Sequence, residues 1–225
     1  MQPATLTLRE KLAAVRERIA RAAERSRRNP ADILLLAVTK VFPADIIRQA
    51  HDLGLRDFGE NYIQEFEGKV PQLGGLDGAR YHLIGHLQSN KSKKAAELFH
   101  VIQTVDSSKL ARRLNENARP LDVMLEVKLS GEDAKSGASP VELPELIGSV
   151  RACPHLRLLG FMTMPPWSED AEASRPYFRR LRELAETHGL PQLSMGMSHD
   201  LEVAIEEGAT CVRVGTALFG KRKKA

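Results

Sequence analysis

The hydrophobic positions along the chain change period again and again. Leu8, Leu12, Val15 and Ile19 recur at helical spacing with charges between them. That is the pattern of an amphipathic helix over about residues 8–28, ended by Asn29-Pro30. Leu34 to Val38 is then a short unbroken apolar run. Thr39-Lys40 ends it and Val41-Phe42-Pro43 follows, so it predicts a buried strand with Lys40 at its C-terminal mouth. The alternation continues to the end of the chain. A helix over 43–53 stops at Gly54. Strands are predicted at 56–59, 81–85, 101–105, 123–129, 156–161, 192–194 and 211–214. Helices are predicted between them: from Glu60-Asn61 to about 70, from Ser89-Asn90-Lys91 to about 98, after Asp106-Ser107-Ser108, over 142–150, over 172–187 to Gly189, from Ser198 to Glu207, and a short one opened by Gly215-Thr216.

Strands that alternate with helices imply a parallel sheet. Eight such units, with no compositional break and no linker, predict the α/β class: one (β/α)8 barrel of the TIM type with an extra N-terminal helix. The expected organisation is a single domain over 1–225, with the leading helix in 1–30 and a flexible basic tail at 221–225. A doubly wound sheet would more often carry a Gly-rich fingerprint after its first strand; Lys40-Val41-Phe42-Pro43 stands there instead.

Composition narrows the classes without changing this picture. The chain has 225 residues, 42% of them hydrophobic, enough for one sizeable core. Its 33 basic and 29 acidic residues leave a formal net charge of +4, too small to predict a nucleic-acid partner. The basic runs at Arg21 to Arg28 and Lys221-Arg222-Lys223-Lys224 read as a helix face with its C-terminal turn and a solvated tail. An RNA-binding tail is the contrasting reading. Cys153 and Cys211 are the two cysteines, far apart and without metal-ligand spacing, which fits a reducing compartment. No apolar run approaches the roughly 18 residues of a membrane span, and no apolar signal core opens the chain. A cytoplasmic protein with no membrane partner is expected.

In such barrels the chemistry gathers at the C-terminal ends of the strands. Here those ends carry Lys40, Glu60-Asn61, His86 to Ser89, Asp106, Lys128, Met162 to Met164, Met195 to Ser198 and Gly215-Thr216. A desolvated lysine loses its proton more easily, and the neutral amine is the form that attacks an aldehyde; otherwise Lys40 only snorkels to solvent. The loops Ser194-Met195-Gly196-Met197-Ser198 and Gly215-Thr216 follow strands seven and eight, where phosphate sites of this fold form. Both precede helices, whose N–H groups favour anions, although Ser198 alone reads equally as a helix cap. Strand alternation turns Arg213 into the barrel if Val212 and Val214 face the helices. A buried guanidinium needs a partner: Glu126, Asp122 or a ligand. Opposite a pyridine nitrogen it would leave that nitrogen unprotonated. An imine-forming amine, a phosphate cradle and a buried arginine describe a site for an aldehyde that carries a phosphate. Pyridoxal 5′-phosphate and a sugar phosphate both fit.

Seven stretches resemble a known family: Leu35 to Lys40, Phe58-Gly59-Glu60-Asn61-Tyr62, His82 to Lys91, Lys135-Ser136-Gly137, Gly160 to Met164, Leu193 to Ser198, and Val212 to Gly220. In order, from Leu34 to Gly220, they are similar to the pyridoxal phosphate homeostasis proteins, small relatives of the barrel domain of alanine racemase. The resemblance implies that Lys40 holds pyridoxal 5′-phosphate as an internal aldimine, that Asn61 lies beside the ring, and that Ser198, Gly215 and Thr216 bind the phosphate. Met195 and Gly196 of the same loop count among the cofactor-binding residues, and Arg213 faces the pyridine nitrogen. No catalytic residue and no metal are expected, and His86 receives no role. Lys135 and the tail lysines read as solvated, with a second cofactor molecule or a partner as the alternative. The implied function is to hold pyridoxal 5′-phosphate within the cell and to buffer it or deliver it to apo-enzymes that use it. Racemases of this barrel type take a second base, a tyrosine, from an all-β domain across a dimer interface. The residues after Gly220 are expected to leave no room for such a domain. Tyr62 and Tyr81 are expected near the site, neither placed as that base. An arginine at the ring nitrogen also weakens the electron sink. A non-enzymatic protein is therefore expected, the alternatives being a weak racemase or lyase using the cofactor and a cofactor-free Schiff-base aldolase; a monomer is expected because no long apolar patch is left over.

Overall fold

The apolar run Leu34–Val38 forms the first strand, β1, in a computed structural model that describes residues 6–131 and 136–220. Seven strands follow: β2 Asp57–Glu60, β3 Arg80–Leu83, β4 Val101–Val105, β5 Leu121–Glu126, β6 Leu156–Met162, β7 Gln192–Met197 and β8 Cys211–Val214. Each pairs parallel with the next. β8 returns to β1 with Leu35 opposite Val212 and Leu36 opposite Arg213, so the sheet closes into a barrel. The helices are α1 Leu8–Arg25, α2 Ala44–Asp52, α3 Ile63–Leu73, α4 Ser92–Leu98, α5 Ser108–Asn115, α6 Leu143–Arg151, α7 Arg175–His188, α8 Leu201–Glu206 and α9 Thr216–Phe219. The predicted (β/α)8 barrel with a leading helix is the fold found.

Strand alternation divides the side chains into two layers. Val212 and Val214 join the large core between sheet and helices, as do Phe58, Phe66, Phe161 and Phe178. Leu36, Val38, Ile84 and Cys211 form a small separate cluster inside the barrel, and the rest of the lumen is largely polar. Tyr81, expected near the site, leans the other way: it stacks on Phe66 (4.6 Å between centroids) and His100 (5.7 Å) in the sheet–helix layer.

The leading helix has a structural task. α9 has only four residues, too few to cover the seam between β8 and β1. α1 lies there instead and packs on α8 and α9, burying Leu12, Val15, Ile19, Ala22 and Ala23. A capping box starts it: Glu10 N–H donates to Thr7 Oγ1 (3.3 Å) and Thr7 N–H donates to Glu10 Oε2 (2.7 Å). The helix stops at Arg25, short of the predicted Arg28, because Arg27 takes a positive φ of 55°. β5 likewise ends at Glu126, short of residue 129; beyond it Val127 makes only an isolated bridge with Ala138.

Asp122, a predicted partner of Arg213, sits at the opposite, N-terminal end of the barrel. It accepts from Arg157 Nε (2.7 Å) and Nη2 (2.8 Å) and from Arg80 Nη2 (2.6 Å). Burial alone would raise its pKa, but those bonds and charges take it below the ordinary carboxylate value.

Gly160 of β6 is a point of close backbone approach. A Cβ there would stand 1.8 Å from the carbonyl oxygen of Gln192 on β7. The obstacle is backbone and cannot rotate away. Gly160→Ala is expected to cost about 3 kcal/mol, read as a lower urea midpoint with little change in the slope of the transition; an unchanged midpoint would show that the two strands can part without cost.

Candidate functional site

Lys40 stands two residues past the end of β1, in the turn Thr39 to Phe42, closed by Phe42 N–H donating to Thr39 O (3.1 Å). It is therefore carried by a turn and not by the strand itself. The next residue, Val41, has φ 63°, a left-handed conformation that costs a β-branched residue roughly 1–3 kcal/mol. A buried charged cluster holds it there. Val41 N–H donates to Glu65 Oε1 (2.6 Å) on α3. Lys69, also on α3, donates to Thr39 O (3.0 Å) and Glu60 Oε1 (2.8 Å) and pairs with Glu65 Oε1 (2.6 Å). Thr39 Oγ1 donates to the same Glu60 oxygen (2.7 Å). Burial raises the pKa of Glu60 against the opposing charge of Lys69. Glu60, placed among the strand-end candidates, thus faces this buttress, and its neighbour Asn61 faces the site.

Lys40, Asn61, Ser198, Arg213, Gly215 and Thr216 line one cavity of about 240 Å³ at the C-terminal ends of the strands. Val38, Phe42 and Ile84 form its apolar wall, and Trp167, 75% exposed, stands over the mouth with Met164. A larger groove of about 540 Å³ at the other end of the barrel is lined by Arg80, Asp122 and Arg157, whose charges are spent on one another.

Two predicted residues do not reach the cavity. Met195 is fully buried in the sheet–helix core, because alternation along β7 turns its neighbour Ser194 inward and Met195 outward. Gly196, at φ 88°, is a packing position: a Cβ would meet Ala204 Cβ of α8 at 2.4 Å. Met197 and His199 line the cavity in their place.

Ser198 departs from the predicted cap. α8 begins only at Leu201, and the Asp200 carboxylate accepts from Met197 N–H (2.7 Å) instead. Ser198 Oγ accepts from Ala217 N–H of α9 (3.2 Å), which ties the loops after β7 and β8 together and leaves the hydroxyl proton to donate. Arg18 of α1 braces this turn from outside, donating to Ser198 O (3.0 Å) and pairing with Glu202 (2.6 Å). Sequence reading treats Arg18 as one more solvated charge on an amphipathic helix; nothing local distinguishes it.

Arg213 points into the barrel, 3% exposed. Its Nη1 donates to Ser194 Oγ (2.8 Å) and its Nη2 to Thr163 O (2.8 Å), so both partners are uncharged. Burial lowers its pKa, opposed by nearby acids that include Glu126. Glu126, the other predicted partner, accepts instead from Ser136 Oγ (3.1 Å), and burial raises its pKa. His86 lies outside the cavity, 3.8 Å from Asp106. Lys135 and the 221–225 tail fall outside the described residues. Among the described residues no cluster of His, Cys, Asp and Glu could hold a metal ion, and no helix is long and apolar enough to cross a membrane.

These walls suit a small phosphorylated aldehyde with an aromatic ring. Asn61 Oδ1 is buried with no hydrogen-bond partner, an acceptor that a ring hydroxyl would satisfy. Gly215 presses its bare α-carbon against β1, where a Cβ would meet Val38 O at 3.2 Å, so the α9 entrance sits close to the end of the strand that leads to Lys40.

Comparison with known proteins finds relatives along nearly the whole chain. Residues 11–223 match the family described as the N-terminal domain of alanine racemase. A pyridoxal phosphate homeostasis protein from Pseudomonas aeruginosa is 49% identical over 222 residues, covering 96% of each chain. The structure of PipY from Synechococcus elongatus with PLP bound matches at 36% identity and a TM-score of 0.83, over 95% of this chain and all of that one. An alanine racemase from Clostridium difficile shares the fold at a TM-score of 0.72 but only 16% identity, over 96% of this chain and 57% of its own length.

Proposed function

The chain belongs to the pyridoxal phosphate homeostasis protein family, and on that footing we propose that it is a monomeric cytoplasmic carrier of pyridoxal 5′-phosphate. In this reading Lys40 holds the cofactor as a Schiff base, and the protein buffers it or passes it to apo-enzymes without efficient turnover of its own. The observation that carries the reading is the convergence of Lys40, Asn61, Ser198, Arg213, Gly215 and Thr216 on one cavity from loops and strand ends far apart in sequence.

The cofactor supplies an aldehyde, with which an amine condenses and releases water. This chain's residues do the rest. The turn at Thr39 to Phe42 aims the amine. Ser198 Oγ and the backbone at Gly215-Thr216 receive the phosphate, beside helix-start N–H groups that favour negative charge. Arg213 only donates, so it would leave a pyridine nitrogen opposite it unprotonated and a poor electron sink, which would favour holding over catalysis. A weak racemase or lyase would need a base facing Lys40, and His199, exposed at the rim, is the candidate the cavity offers.

Mixing the protein with pyridoxal 5′-phosphate is expected to produce a visible band and to quench Trp167, the one tryptophan of the chain. Borohydride followed by mass mapping should then place the label on Lys40. A label on another lysine would overturn the anchor. Lys40-dependent exchange of amino-acid α-protons with deuterated solvent, at rates typical of enzymes, would overturn the carrier reading.

A further inference from the structure

A line of buried polar side chains crosses the barrel from Arg213 to the opposite rim. Arg213 Nη1 donates to Ser194 Oγ (2.8 Å), and Ser194 Oγ donates to Gln103 Oε1 (2.6 Å). Gln103 Nε2 lies 3.0 Å from His82 Nδ1, and His82 Nε2 lies 2.9 Å from Asp57 Oδ1. The five residues come from β8, β7, β4, β3 and β2. Arg213, Ser194, Gln103 and His82 are each at most 3% exposed. Only Asp57, the first residue of β2, reaches the rim.

The two ends and the orientation of the Gln103 amide, Oε1 toward Ser194 and Nε2 toward His82, together fix the protons between them. A guanidinium only donates and an ionised carboxylate only accepts. Ser194 therefore accepts from Arg213 and spends its single proton on Gln103 Oε1. Gln103 then donates its amide N–H to His82 Nδ1. That nitrogen is then the acceptor, and the His82 N–H sits on Nε2, directed at Asp57. A proton on Nδ1 would point straight at the Gln103 amide hydrogens. All four bonds run one way, from cation to anion, and aligned hydrogen bonds of this kind polarise one another. Cys211, Asp200 and Glu126 also act on Arg213 through their charge, but its hydrogen bonds go to Ser194 and Thr163.

We propose that Asp57, His82 and Gln103 are positioning residues for Arg213: the one-way chain orients its guanidinium and connects it to a distant counter-charge. The further claim that this tunes the hold on the cofactor ring rests on the carrier reading above.

The orientation is tested first without cofactor. In ¹⁵N spectra of the wild-type protein, His82 should show a protonated Nε2 and an unprotonated Nδ1. Guanidinium protons of Arg213 should be slow to exchange, and fast in Gln103→Leu. The opposite tautomer, a cationic His82 at neutral pH, or Arg213 protons indifferent to Gln103→Leu would overturn the proposal. With pyridoxal 5′-phosphate as the probe, Gln103→Leu and Asp57→Asn should each weaken binding about three- to tenfold and shift the visible band. The double variant should match Gln103→Leu within about twofold, since a chain cut in the middle no longer transmits its end. Single effects that multiply would overturn the chain and leave two unrelated structural roles. A wild-type protein that binds no cofactor would overturn the carrier reading alone, because the spectra of the cofactor-free protein still decide the chain.

Discussion

Lys40→Ala is expected to give a folded protein that stays colourless at cofactor concentrations which turn the wild type fully yellow, and that takes no borohydride-fixed label. The turn should survive the change, because it is held by backbone atoms: Thr39 O by Lys69, and Val41 N–H by Glu65. What would be lost is the covalent bond proposed above. Ser198, Gly215, Thr216 and Arg213 still line the cavity, so residual binding should persist, weaker by on the order of 100-fold, about 2.8 kcal/mol. Quenching of Trp167 measures this residue of affinity without needing colour. A visible band in Lys40→Ala would move the anchor elsewhere, and an unchanged affinity would make the covalent bond incidental to holding.

Lys69→Met is expected to be the most damaging substitution away from the cavity. Lys69 is the cation between two carboxylates, Glu60 and Glu65, and its side chain is 7% exposed. Removing one member of a buried pair costs about 3–5 kcal/mol, a fall in Tm of roughly 6–20 °C for a chain of this size. It also removes the donor to Thr39 O and the cation that holds Glu65, the acceptor of Val41 N–H, so cofactor affinity should fall with stability. Loss of stability within 0.5 kcal/mol of wild type would show that Glu60 and Glu65 find other compensation.

The companion variant, Glu60→Gln, reads the same cluster through pH. The folded state raises the pKa of Glu60, chiefly by burial. The folded protein thus holds this proton more tightly than the unfolded chain. The stabilisation is complete below the ordinary carboxylate value, about 4.3, and is lost as pH rises through the raised folded value. Glutamine keeps an acceptor for Thr39 and does not titrate. The stability difference between wild type and Glu60→Gln should therefore move against the wild type as pH increases across that window. Parallel pH curves would show that Glu60 ionises as it does in the unfolded chain.

The barrel was legible because its signals are local and repeated. A strand such as Leu34–Val38 is short and wholly apolar, and Gly54, Gly189 and Gly208 mark where helices stop. Lys40, Asn61, Arg213, Gly215 and Thr216 were legible as lining one cavity because fold and strand end together fix where they point. What escaped was whatever depends on a distant partner. Ser198 reads as a cap for the helix that follows, yet caps the next one, because α9 ends up beside it. Met195 was grouped with its loop, although the alternation of β7 carries it outward. Tyr81 lies in a strand predicted near the site, but its ring fills the space left by Phe66. His82, Gln103 and Ser194 lie in three different strands, with no period or spacing to link them. Only the closed barrel brings them into line.

The placement of α1 has a consequence for how the chain is made. Its brace to the turn after β7, Arg18 to Glu202, joins residues 184 apart, and β1 takes its second neighbour from β8. On a growing polypeptide both wait until nearly the whole sequence has been synthesised. Until then the stripe of Leu12, Val15 and Ile19 and one edge of β1 have nothing native to bury against, while the intermediate strands can already pair locally. Closure is thus a late step, and contacts this distant make folding slow. A ribosome stalled just before Cys211 would present an open sheet edge and an uncovered amphipathic helix on the same molecule, the two features that most invite capture by a chaperone or by another unfinished copy.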